Sequence, residues 1–149
     1  MKPYEYSLSL MAKAAEDEAA VDALTCNPRI ADAIVGFHCQ QAAEKMLKAV
    51  LTAAGGSVPK THDLQELLDL LASSGLTVPP EVLDAWKLTP FAVVLRYPVS
   101  SPPPGTLARD EAVSMTRAIR AWAEAELQRL APPPPVQPDA SDTSGGSDP

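Results

Sequence analysis

Phe37-His38-Cys39-Gln40-Gln41-Ala42-Ala43-Glu44-Lys45-Met46-Leu47-Lys48-Ala49-Val50-Leu51 is the stretch that decides the fold of this chain. At about 100° per residue, His38, Gln41, Lys45 and Lys48 fall in one stripe, with Glu44 at its edge. Cys39, Ala43, Met46, Leu47 and Val50 cover the other side. Over roughly four turns, a flank that builds a core and a flank of hydrogen-bonding side chains share one helix.

Outward from that stretch, the helix extends from about Arg29 to Ala54 and stops at Gly55-Gly56, a strong C-terminal signal. Upstream, Leu10, Ala14, Val21 and Leu24 share a face of a helix over about Tyr6 to Leu24. Asn27-Pro28 breaks it, with Asn27 as a cap and Pro28 at the first position of the next helix. Downstream, Thr61 reads as the N-cap of a third helix, with Asp63 and Glu66 in the first turn and Leu64, Leu67, Leu68 and Leu71 on the core face. Gly75 ends it. Pro79-Pro80 opens a fourth helix carrying Val82, Leu83, Trp86 and Val93 toward Arg96-Tyr97-Pro98, with a kink or break at Pro90. A proline-rich loop over 100–105 leads to a last helix, about Leu107 to Leu130, bearing Ala108, Ala112, Met115, Ile119 and Trp122. No strand-like alternation competes. Five helical segments with short connections predict an all-α, up-down bundle of four to five helices.

The bundle should occupy residues 1–130. Residues 131–149 hold one aliphatic side chain larger than alanine and read as a disordered, Pro-rich acidic tail. The tail has three acids and no bases, so residues 1–130 retain −4 of the total −7. That charge argues against a strongly basic nucleic-acid binder, although Lys45, Lys48 and Lys60 can still gather locally. Apolar residues make up 46% of the chain but aromatics only 5%, which favours close helix packing on small side chains. Trp86 and Trp122 read as core rather than as base-stacking platforms. Cys26 and Cys39 suit neither a disulfide framework nor a metal site, and no metal or cofactor is expected. Glu16, Asp17 and Glu18 interrupt the first stretch, so no secretory signal is expected, and no apolar run reaches the roughly 20 residues that span a bilayer. A cytoplasmic protein is expected.

Three separated motifs now stand in order: Phe37 to Ala49, then Thr61-His62-Asp63-Leu64 before a leucine-rich helix, then Arg96-Tyr97-Pro98. Together they resemble the HEPN domain family (higher eukaryotes and prokaryotes nucleotide-binding), over roughly Tyr6 to Leu130. The resemblance implies an α-helical bundle that usually dimerises. It also implies a frequent genomic partner, a minimal nucleotidyltransferase, in toxin–antitoxin or related pairs. Many relatives are metal-independent ribonucleases with an Arg-x4-6-His motif, while others are thought to bind nucleotide or RNA without cutting. Here the motif is absent as a contiguous string. The positions upstream of His38 are Ala31, Asp32 and Ala33, those upstream of His62 are Gly55, Gly56 and Ser57, and Arg96 leads forward to Ser101, Pro102 and Pro103.

Metal-free RNA cleavage needs a base for the 2′-hydroxyl and a cation for the phosphate, tasks that suit His62 and Arg96 if the bundle brings them together. Binding a nucleotide or RNA phosphate needs less: Arg96, Lys45 and Lys48 with backbone amides near Thr61, and Gln41, Lys60, Thr61 and Tyr97 as further candidate contacts. Each has a plainer reading. His62 is a first-turn surface residue, Arg96 complements a helix dipole, Lys45 is solvated, and Glu44–Lys48 is an ordinary i, i+4 pair. The Gln-Gln-x-x-Glu-Lys stripe also suits a dimer seam anchored by Phe37. The sequence therefore supports a phosphate-binding HEPN protein with a partner, a ribonuclease built on His62 and Arg96, or a non-catalytic interaction module.

Overall fold

The structure is a computed structural model that describes residues 1–94 and 104–136. Its elements are α1 (Pro3–Leu24), α2 (Asp32–Ala53), α3 (Leu64–Ser73), α4 (Pro80–Leu83) continued by a 3-10 segment (Asp84–Leu88), α5 (Phe91–Val94) and α6 (Arg109–Leu130). Among the described residues every regular element is helical. Arg96 and Tyr97, with most of the proline-rich loop, lie outside the described residues. So does the tail from residue 137, and residues 131–136 follow α6 as exposed coil. No described helix is long and apolar enough to cross a membrane.

Helix α2 is the axis of the bundle. Val35, Cys39, Ala42, Ala43, Met46, Leu47, Ala49, Val50 and Leu51 are buried, so its apolar flank meets neighbours on several sides. Helix α1 crosses back along it after a tight turn and runs antiparallel. Helix α6 is antiparallel to α1: Tyr4 Oη donates to the Leu127 carbonyl at 3.2 Å, and Arg117 meets Asp22 at 3.7 Å. It is therefore parallel to α2. Arg109 pairs with Asp32, and Thr116 lies against Cys39, both with an offset of 77 residues. The sequential pair α1 and α2 is antiparallel as expected, and the parallel pair arises because residues 54–108 carry the chain back to its starting end.

The termini show which local signals prevailed. Gly55 (φ +85°) closes α2, with the Gly56 N–H on the Leu51 carbonyl at 2.9 Å, as the glycine pair foretold. The start of α2 differs from expectation by three residues. Asn27 Oδ1 accepts from the Arg29 N–H at 3.0 Å, which makes an Asx turn rather than a helix cap. The Asn27 and Ile30 carbonyls are claimed by Arg109. The N-cap of α3 is Asp63, not Thr61: Asp63 Oδ1 accepts from the Gln65 N–H at 3.0 Å, while Thr61 Oγ1 accepts from the Asp63 N–H at 3.1 Å. Leu64, Leu67, Leu68 and Leu71 are all buried as predicted.

The fourth segment departs most. Val82, Ala85 and Leu88 are buried at a spacing of three, the period of the tighter helix. Leu83 and Trp86 consequently take the outer side. Trp86 is 48% exposed, which corrects its assignment to the core. Pro90 interrupts the run as expected. On α6 the buried line is Ala112, Thr116, Ile119, Ala123 and Leu127, displaced slightly from the expected stripe. Ala108 is the exposed N-cap, while Met115 and Trp122 pack on the flank of the core.

Cys39 is fully buried and burial pushes its thiol above the ordinary value, whereas Cys26 is exposed. A raised value leaves less thiolate at any given pH. Cys26 should therefore label with a thiol reagent at the rate of a free peptide thiol. Cys39 should label about a hundredfold more slowly, because an opening of about 3 kcal/mol must precede reaction. Mass spectrometry of the time course checks this, and comparable rates would contradict the burial of Cys39.

Candidate functional site

The polar flank of α2 resolves into two carboxylate-centred clusters. In the first, Asp17 of α1 receives His38 Nδ1 at 3.0 Å and Lys45 Nζ at 2.6 Å. Positions 38 and 45 are two turns apart, so both side chains bend toward one acid on the antiparallel neighbour. In the second, Glu44 meets His62 Nδ1 at 2.6 Å through Oε1 and Lys48 Nζ at 3.6 Å through Oε2. The predicted i, i+4 pair between Glu44 and Lys48 is present.

His62 is held from two directions. The buried Gln40 amide donates from Nε2 to the His62 carbonyl at 3.3 Å, and Gln41 Nε2 donates to Gln40 Oε1 at 2.7 Å. Gln40, Glu44 and Lys48 are spaced by four, so they form one line along α2 facing the 61–63 segment. Asp63 then starts α3 directly after His62, fixing the segment's far end. The His62 side chain is 72% exposed and its Glu44 partner only 7%. An ionised carboxylate only accepts, so His62 donates from Nδ1. Nε2 is left as the solvent-facing ring nitrogen: an acceptor on neutral imidazole, a donor on imidazolium.

Lys45 and Lys48 are brought to separate acids rather than to one another, so neither ammonium is unpaired. Lys60 is exposed and Thr61 half-buried beside His62. The expected meeting of His62 with Arg96, and any contribution of Tyr97, concern residues outside the description. Asp17 and Gln40 join the site beyond the candidate ligand contacts that the sequence offers. Gln40 was findable from its fourfold spacing to Glu44 and Lys48; Asp17 carried no local signal, because only the packing of α1 on α2 brings it there. Among the described residues no group of three His, Cys, Asp or Glu side chains can hold a metal ion.

An all-helical bundle with a polar α2 flank, followed by a His-Asp-Leu helix start, defines a class of small helical domain. The chain belongs to the HEPN domain family, whose model matches residues 7–126. No curated protein and no solved structure matches it.

Proposed function

We propose that this HEPN domain binds the phosphate of a nucleotide or of RNA at the surface presented by His62, with Lys60, the amides near Thr61, and Arg96 and Tyr97 from the following motif. The observation that carries the reading is an exposed imidazole whose Nδ1 is anchored 2.6 Å from a buried carboxylate. Such a ring has lost much of its rotational freedom before a ligand arrives, so less ordering remains when it binds. Glu44 is a positioning residue in this arrangement, and Lys48 offsets its charge. Gln41 and Lys45 stand one step behind, Gln41 by holding Gln40. Family membership supports a nucleotide- or RNA-related role. We place the chain beside a nucleotidyltransferase-like partner in a two-gene, toxin–antitoxin-like system, as a homodimer.

Isothermal titration with ATP, GTP and a short RNA tests the ligand. Wild-type chain should bind at least one of them, and His62→Ala or Arg96→Ala should weaken that binding about tenfold or more. No binding to any of the three, or binding untouched by both substitutions, sinks the reading. Light scattering tests the dimer, and the adjacent open reading frame tests the partner.

A second reading is favoured by the exposed Nε2. As a metal-independent ribonuclease, His62 would take the 2′-hydroxyl proton, the 2′-oxygen would attack phosphorus as the P–O5′ bond breaks to leave a 2′,3′-cyclic phosphate, water would protonate the departing 5′-oxygen, and Arg96 would stabilise the crowded phosphate. Total RNA incubated in EDTA with wild-type chain should then be cut, and the His62→Ala/Arg96→Ala variant should be inert. Intact RNA at high protein concentration rejects it.

A further inference from the structure

A shallow groove of about 470 Å³ runs between the α4–3-10 segment and the first half of α6, and it shares no residue with the His62 cluster. Leu107 and Met115, both half-buried, give it an apolar floor. Its rim carries Glu81, Asp84, Asp110 and Glu111 against the single cation Lys87, a formal balance of −3. Glu81 and Asp110 make no ion pair among the described residues, and the Asp84–Lys87 contact is a loose 3.6 Å between exposed groups. Lys87 Nζ also stands 5.8 Å from the ring centroid of Trp86. Trp86, 48% exposed, and Leu83, 43% exposed, lie just outside the lining, on the neighbouring row of the same segment.

We propose that this groove docks a cationic, amphipathic segment of a partner protein. Lysine or arginine side chains of that segment meet the acidic rim, an apolar side chain rests on Leu107 and Met115, and Trp86 packs against its flank. Trp is the residue type that most often carries binding energy at such surfaces, and rim charges of one sign set the partner's sign and its approach rate. Charge also removes the other occupants. A second copy of this chain carries −7, and residues 137–149 bring three aspartates and no base. A nucleic-acid backbone or an anionic lipid surface would meet the same repulsion.

The test uses the full chain and a fluorescein-labelled 15-residue peptide with leucine and lysine at helical spacing, read by anisotropy. A counterpart with glutamate for every lysine is measured beside it. The Lys/Leu peptide should bind saturably and the Glu/Leu peptide should not. Glu81→Lys/Asp110→Lys should weaken binding about tenfold or more, whereas Glu16→Lys/Asp69→Lys, the same change of charge on exposed acids elsewhere, should leave it within about twofold. Trp86→Ala should weaken it without altering charge. No saturable binding, equal weakening by both charge variants, or indifference to Trp86→Ala overturns the proposal.

Discussion

Arg109→Ala is expected to cost the fold about 3 kcal/mol and to lower Tm by about 10 °C. Arg109 Nε donates to Asp32 at 2.7 Å, and Nη1 donates to the carbonyls of Thr25 at 2.9 Å and Asn27 at 3.0 Å. Nη1 also approaches the Leu24 carbonyl at 3.5 Å, and Nη2 donates to that of Ile30. The side chain is only 17% exposed. These carbonyls belong to the end of α1 and to a turn with few other donors. Alanine takes this donor from the Thr25 and Ile30 carbonyls, whereas the Leu24 and Asn27 carbonyls keep the N–H groups of Asn27 and Ile30, each at 3.1 Å. Lysine is a poor substitute, because one ammonium cannot span acceptors arranged around a planar fork. Asp32→Asn should cost far less, since Asp32 is 69% exposed and the carbonyl contacts persist. Urea unfolding of the three variants checks the order; a loss below about 1 kcal/mol for Arg109→Ala would show the clamp to be incidental.

The second large effect concerns Gly36 and Phe91. A Cβ built on Gly36 falls 2.4 Å from two atoms of the Phe91 ring, so the helix is open at that point to admit the ring. Phe91 is 3% exposed and joins α5 to the core. Phe91→Ala should destabilise by about 3–4 kcal/mol through the cavity it leaves. Gly36→Ala should lose about 1–2 kcal/mol, overpacking against the ring being partly offset by better helix propensity. The double variant should be more stable than the sum of the two losses predicts, by about 1 kcal/mol, because the new methyl enters vacated space. Strict additivity would mean that the two residues do not share that space.

The legible part of this structure was what periodicity and punctuation encode. The leucines of α3, the Gly55 stop, the break at Pro90 and the apolar flank of α2 each follow from local chemistry. The illegible part was decided by partners distant in sequence. Asn27 reads as a cap because Asn-Pro before a periodic run is one; in the fold its carbonyl closes a turn with the Ile30 N–H and is shared by Arg109, 82 residues later. Trp86 reads as core at α-helical spacing, but Val82, Ala85 and Leu88 impose a spacing of three and leave it outside. In the candidate site, His62 and Glu44 were both visible, but their contact was not. A glutamate at the edge of a stripe does not announce that the start of the next helix will fold over it. Gly36 offered a clue in advance, since a glycine inside a well-formed helix commonly marks a close approach.

The parallel course of α2 and α6 fixes how chain length is spent. Two 22-residue helices starting at one end require a return of about 33 Å, a distance that about ten extended residues can cover. Residues 54–108 supply 55. Most of that segment is therefore surplus to the route, free to be shaped by something other than the need to get back. His62 stands near its beginning, and Leu83, Trp86 and Lys87 in its middle. The three long helices form a frame whose geometry is already determined, and both proposed binding surfaces draw on the slack in the strap that crosses it.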